Sequence, residues 1–163
     1  MDNRHNQVRQ PRLQTPRLRH SLAATIMCLL FTYQGAHAVN CSVSSTPIGF
    51  GTYDVFSSSN LDTTGSVRVK CAPGNTTYTI SLQAGLNGSI NNRKMQNSSG
   101  NGKMNYNLYI DAARSIIWGD GTGGTVTVTN NSPKSITVYA RIPAGQNVST
   151  GSYSDSVTVL VSF

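Results

Sequence analysis

The chain has 163 residues, with 13 lysines and arginines against six aspartates and glutamates, so its formal net charge is +7. This charge is concentrated in the first 20 residues, where five arginines face one acid, Asp2. The remainder has eight lysines and arginines against five aspartates, a net charge of +3, so net charge gives little support for a nucleic-acid partner.

The N-terminal segment has the three parts of a secretory signal peptide. A basic region is followed by an apolar run over 21–33 and by Ala36-His37-Ala38, which puts small residues on both sides of the last histidine. We predict a signal peptide over 1–38, cleavage after Ala38, and one mature domain over 39–163. A membrane anchor is the alternative, but the apolar run is short for about 30 Å of hydrocarbon. The mature chain is therefore expected to contain no transmembrane segment.

Cys41 and Cys71 are the two cysteines that remain after the predicted cleavage. Secreted proteins fold where thiols are oxidised, so this pair is predicted to form a disulfide. Closing the intervening loop would stabilise the fold by about 3.5 to 4 kcal/mol in the chain-entropy model. Two free buried thiols are the alternative.

Short stretches rich in β-branched and aromatic residues alternate with turn residues along the mature chain. The predicted strands are 50–56, 67–71, 78–82, 104–110, 126–129, 136–142 and 157–163. The sequence between them is rich in Gly, Asn, Ser and Pro, and NNRKMQNSSGNGK is predicted to be a long exposed loop. No segment keeps an apolar helical period beyond two turns. The pattern predicts an all-β sandwich.

The final predicted strand is half-buried. Its apolar residues recur at every second position and therefore share one face. They are Val157, Val159, Val161 and Phe163. The residues between them, beginning at Ser156, share the other face and are mostly polar.

Catalysis finds little support in the mature sequence. The three histidines, His5, His20 and His37, all lie in the predicted leader. Their position excludes Ser-His-Asp and Cys-His machinery as well as zinc sites of the common Cys/His type. The five aspartates are scattered, which disfavours a two-carboxylate glycosidase. We expect no enzyme, no cofactor and no metal.

The glycine-rich stretch GDGTGG, residues 119–124, is predicted to be a turn between strands. A phosphate-binding loop would be followed by a helix, whereas a strand-like sequence follows here. A calcium loop needs several spaced oxygen ligands, and this stretch has one acid.

Several stretches together resemble one family. They are Cys41 with FGTYD downstream, GSVRVKC, YNLYIDAARSIIWGDGTGG and the ending ITVYARIPAGQNVSTGSYSDSVTVLVSF. They resemble the spore coat protein U domain, which is the domain of the subunits of archaic chaperone–usher pili. The resemblance covers residues 41–163 and is most specific in the YNLYIDAAR…WGDGTGG block and in the terminal G-x-Y-x-D-x-V-x-V pattern.

The resemblance implies an immunoglobulin-like β-sandwich that lacks its final, seventh strand. The last strand would then border a groove with an unpaired backbone edge, and such an edge templates pairing with another chain. The second wall is expected from the first strand and the segment before Tyr53. The expected groove residues are Val43, Val157, Val159, Val161 and Phe163.

The resemblance also implies partners and a location. A periplasmic chaperone would donate a strand first, and another pilin subunit would donate one later, at an outer-membrane usher. The protein would be secreted through the periplasm to a pilus at the cell surface and would serve adhesion or biofilm formation. No nucleic-acid partner is expected.

One feature departs from the family. Shaft subunits carry their donor strand between the signal peptide and the first cysteine, but cleavage after Ala38 leaves only Val39 and Asn40 there. Two residues cannot fill about four or five alternating positions. We therefore expect a terminal subunit that accepts a strand without donating one. The alternative is a self-contained secreted coat or surface-binding protein outside any pilus.

The alternation of the last strand makes a testable prediction. Val159→Asp would put a charge where apolar side chains must pack, which costs several kcal/mol unless the charge is paired. This variant should fail to form a complex with the chaperone in co-purification and should be degraded. Thr158→Asp, on the other face, should be tolerated far better, and equal tolerance at the two positions would show that this strand is not the acceptor edge.

Overall fold

The computed structural model describes residues 38–163, and these residues form nine β-strands. The strands are β1 Asn40–Thr46, β2 Leu61–Ala72, β3 Tyr78–Leu82, β4 Arg93–Asn97, β5 Lys103–Tyr109, β6 Val128–Asn130, β7 Lys134–Ile142, β8 Tyr153–Ser154 and β9 Val159–Ser162. The predicted signal peptide lies outside the described residues, except for Ala38, and stays a prediction.

The strands pair antiparallel in two sheets. The larger sheet has the order β1-β2-β7-β5-β4-β8, and the smaller sheet has the order β6-β3-β9. Strands β1 and β9 are therefore edge strands of different sheets. The last part of the chain changes sheets, because β8 pairs with β4 whereas β9 pairs with β3. The all-β fold predicted from the sequence is confirmed.

The core lies between the two sheets and contains one face of each long strand. Alternate residues of β3 are buried, and so are alternate residues at the end of β2 and of β7, which is the period of a half-buried strand. The most deeply buried large side chains include Trp118, Tyr78, Ile80, Leu82 and Val69. Trp118 donates its indole N–H to the carbonyl of Ile80 at 3.2 Å, so its polar edge is satisfied inside the core.

Most predicted strands coincide with observed ones. Those over 67–71, 78–82, 104–110 and 136–142 fall on β2, β3, β5 and β7, and the one over 126–129 overlaps β6. The predicted strand over 157–163 is shorter in the structure, where β9 spans Val159–Ser162.

The predicted strand over 50–56 is wrong. These residues form an irregular segment in which Gly51 has a φ of +73°, a value that interrupts an extended chain. The Tyr53 hydroxyl fixes this segment, because it donates to the carbonyl of Pro143 at 3.0 Å and accepts from the backbone N–H of Gln146 at 2.8 Å. The first strand is β1, which ends before Pro47.

The predicted exposed loop NNRKMQNSSGNGK is wrong over Arg93–Asn97, which form strand β4. The side chains of Arg93, Met95 and Asn97 are buried, while those between them are half-buried. Two of the three buried residues are polar, so the stretch has no alternating apolar pattern from which a strand could be predicted.

Arg93 is fully buried, and its guanidinium connects the two sheets. It donates to the carbonyls of Leu82 and Gln83 at the end of β3, both at 3.0 Å, and to that of Trp118 at 2.9 Å. A fourth bond runs to the side-chain oxygen of Asn107 on β5, at 2.6 Å. Burial lowers the pKa of the Arg93 guanidinium, and these four bonds compensate for its lost hydration.

We predict that Arg93→Ala lowers the free energy of unfolding by about 3 kcal/mol or more, because it leaves several buried acceptors without a donor. Urea denaturation measures this loss. Lys94→Ala is the matched control, since Lys94 is the next residue of β4 and is half-exposed; a change within about 0.5 kcal/mol is expected there. Similar losses in both variants would contradict a role for the guanidinium.

Candidate strand-acceptor groove

The inward face of β1 is only partly covered. Val43 lies opposite Val69 of β2, so the two side chains point to the same side of the sheet. Val69 is 0% exposed, whereas Val43 is 45% exposed. Val43, at the edge of the sheet, therefore faces the interior of the domain but is not buried.

Strand β9 shows the same contrast in the smaller sheet. Val159 lies opposite Leu82, and Val161 lies opposite Ile80. Leu82 and Ile80 are buried, but both valines are only half-buried. No strand among residues 38–163 pairs with the second edge of β1 or of β9. Both edges thus combine unpaired backbone with incompletely covered apolar side chains.

A cavity of about 440 Å³ lies beside these two edges. One wall comes from the end of β1 and the residues after it, including Ile48 and Phe50, and the other from residues 154–157 and Val159. The floor is mostly apolar core. Its members are Val67, Leu82, Met95, Tyr106, Leu108 and Val138. We call this cavity and the two edges the groove.

The structure brings only some of the predicted groove residues to the cavity. Val157 and Val159 line it, and Val161 packs against the core further along β9. Val43 lies on β1 but does not line the cavity. Phe163 follows the end of β9 and is 63% exposed. The segment before Tyr53 contributes Ile48 and Phe50 to the lining of the cavity.

A second cavity of about 780 Å³ adjoins the first and shares four lining residues with it: Ile48, Phe50, Met95 and Tyr153. It lies between the segments 48–55 and 148–153. The groove therefore continues past the start of β9, toward residues 148–153.

The β1 wall is fixed by a covalent bond. Cys41 and Cys71 lie opposite each other in the β1–β2 pair and form a disulfide with an S–S distance of 2.04 Å. The bond ties the start of the edge strand to its neighbour, as the predicted pairing requires.

Sequence reasoning missed Asp155, which is the one charged side chain among the residues that line the 440 Å³ cavity. Its carboxylate accepts the Tyr106 hydroxyl at 2.7 Å and the backbone N–H of Leu86 at 2.9 Å. Burial, and then the bond to Asp155, raises the pKa of Tyr106 strongly. The alternation of the last strand was the sequence signal that could have identified Asp155, because Asp155 lies two residues before Val157 and therefore on the same face.

The other aspartates serve the loops and the sheet surface. Asp62 forms ion pairs with Arg141 at 2.8 Å and with Arg114 at 3.2 Å, and the hydrogen bond from Arg141 lowers the pKa of Asp62. Asp120 accepts the backbone N–H and the hydroxyl of Thr122, so the predicted glycine-rich turn is confirmed.

Within the described part of the chain, no three acidic, Cys or His side chains cluster as metal ligands.

Residues 38–163 contain no helix that is long and apolar enough to span a bilayer.

The two-sheet architecture defines the class of the protein, an all-β domain with an immunoglobulin-like fold. The sequence matches the Spore Coat Protein U domain over residues 28–160, and the chain belongs to this family. It is 32% identical over 140 residues to Protein U of Myxococcus xanthus, an alignment that covers 79% of this chain and 78% of that protein.

One solved structure that shares the fold is the CsuC–CsuE chaperone–tip adhesion subunit pre-assembly complex from archaic chaperone–usher Csu pili of Acinetobacter baumannii. A chain of this complex is 23% identical to the protein and superposes with a TM-score of 0.55. The similarity covers 77% of this protein and 40% of the chain in the complex. The E. coli Hda pilus minor tip subunit gives a TM-score of 0.42 at 14% identity over 74% of this chain and 79% of that one.

The Tyr106–Asp155 contact predicts a dependence of stability on pH. Because the pKa of Tyr106 is raised above its ordinary value of 10.0, the unfolded chain loses this proton first as the pH rises. Stability should fall above pH 10.0 by about 1.4 kcal/mol per pH unit from this group. Tyr106→Phe should remove this contribution in urea titrations. Parallel pH curves for the two proteins would contradict the assignment.

Proposed function

We propose that the protein is a secreted structural subunit of an archaic chaperone–usher pilus and that its groove accepts a β-strand from another chain. The observation that carries the proposal is the pair of edge strands whose inward-facing valines are incompletely covered beside a mostly apolar cavity. A strand inserted there would cover the valines and supply backbone partners to an unpaired edge at the same time.

The design of the sheet edges supports this function. Natural edge strands are protected by charges, prolines, bulges or short length. The other two edge strands are short, since β6 has three residues and β8 has two. Strands β1 and β9 are longer, with seven and four residues, and contain no charged residue and no proline. The two longer edges, which border the groove, therefore lack the protection that charges, prolines or a very short length would give.

Family membership suggests the source of the strand. A periplasmic chaperone would donate first and another subunit later, with an outer-membrane usher as the assembly site, so that the subunit reaches the cell surface and serves adhesion or biofilm formation. The relevant solved complex pairs a chaperone with a tip adhesion subunit, which is consistent with such a partner for this chain.

We further propose a terminal, acceptor-only position in the pilus. If the leader is removed after Ala38, Val39 alone precedes β1, because Asn40 already pairs with Ala72. No donor strand then remains ahead of β1.

A secreted coat protein is the second candidate, which the match to the Spore Coat Protein U domain favours, together with the similarity to Protein U along most of both chains. The two candidates differ in whether the domain is stable on its own.

Stability with and without a donor tests the proposal. Covering about four fully exposed apolar side chains at roughly 1.5–3 kcal/mol each would contribute about 6–12 kcal/mol, and the half-buried valines contribute less than this before the cost of ordering the donor. Residues 39–163 should therefore melt at low temperature alone and become markedly more stable with a peptide of alternating valine and threonine, or with a co-expressed chaperone. A peptide with serine in place of valine is the control.

Two variants of β9 locate the effect. Val161→Asp places a charge on the groove face and should abolish the peptide's effect, while Leu160→Asp, on the opposite and exposed face, should preserve it. A stable monomer that gains nothing from any peptide or chaperone would contradict the pilus proposal and favour the coat protein.

A further inference from the structure

Asp155 occupies an unexpected position in a mostly apolar groove. It falls in the row of half-buried residues that alternates along the end of the chain, between Tyr153 and Val157. The other residues that line the 440 Å³ cavity are apolar or carry neutral hydroxyl groups. A negative charge therefore lies where a donated strand would pack.

The partners of Asp155 in the described chain are neutral. One carboxylate oxygen accepts the N–H of Leu86, and the other accepts the hydroxyl of Tyr106. A carboxylate has about four acceptor sites, so roughly two remain for a further donor. Among residues 38–163 no lysine or arginine lies within ion-pair distance of Asp155.

Two neighbouring features limit the further hydrogen-bond donors that the described residues can supply to Asp155. Arg93 acts on Asp155 at longer range, but four of its five N–H bonds are directed to three carbonyls and to Asn107. On another side of the carboxylate the backbone of Gly85 approaches so closely that an added Cβ would overlap Asp155. The remaining hydrogen-bonding capacity is therefore available to a group that enters the cavity.

A strand that covered Asp155 with methyl groups would remove water from a carboxylate without replacing its hydrogen bonds, which is costly. A lysine or arginine at that position would instead pack its aliphatic stem on the apolar lining and bring its charged end to the carboxylate. We propose that the donated strand carries one basic residue among its alternating apolar residues, at the position that faces Asp155. This inference rests on the proposed acceptor function and adds a charge requirement to it.

Peptide binding tests the requirement. A series of nine-residue peptides that alternate valine with threonine would carry lysine at one groove-facing position at a time, with norleucine at the same position as the uncharged control. Fluorescence anisotropy with the mature wild-type protein should identify one position, at the Asp155 end of the groove, where lysine binds about tenfold more tightly than norleucine.

Asp155→Asn retains the shape of the side chain and should remove that preference, whereas Asp120→Asn makes the same charge change in an exposed turn and should retain it. If no position favours lysine while the norleucine peptides bind, the charge requirement is wrong and the acceptor function stands. If no peptide binds, the acceptor function itself fails. The comparison of peptides on the wild-type protein remains decisive should Asp155→Asn fold poorly.

Discussion

The incomplete cover over the inward-facing side chains of β1 and β9 is the constraint on which the rest of the structure depends. The two strands belong to different sheets, yet their inward faces border one space. Their neighbours, β2 and β3, bury the opposing residues fully, so the core is complete up to the last strand on each side and incomplete beyond it. Apolar surface and unpaired backbone coincide there, and a single added strand would cover both.

The walls of this groove are fixed by interactions that do not depend on its occupant. The disulfide holds β1 to β2, and Asp155 ties the approach to β9 to Tyr106 and to the backbone of Leu86. Arg93 bonds the end of β3 to β5 through the interior. If the groove accepts a strand as proposed, fixed walls reduce the conformational entropy lost on binding, so more of the gain from burial contributes to affinity.

Local patterns predict the parts of this fold that follow simple alternation, and they fail where polar residues point inward. The valines of the last strand and the apolar row of β3 show their face directly in the sequence. Strand β4 does not, because Arg93 and Asn97 occupy buried positions, which hydrogen bonds to other segments make acceptable. Asp155 was missed because it is a charged residue in an inward-facing row, although the alternation of the last strand extends to it. The irregular segment with Phe50 resembles a strand locally, but bonds from the Tyr53 hydroxyl to distant backbone decide its path.

Hydrogen exchange at β9 tests the central claim most directly. Gln83 N–H bonds to the carbonyl of Thr158, so alternation directs the N–H groups of Leu160 and Ser162 to β3 and those of Val159 and Val161 to the open edge. In the protein alone the two valine amides should exchange much faster than the amides of Leu160 and Ser162, and a bound donor strand should protect them. Valine amides that are already protected in the isolated protein, or that remain unprotected with the donor bound, would contradict the account.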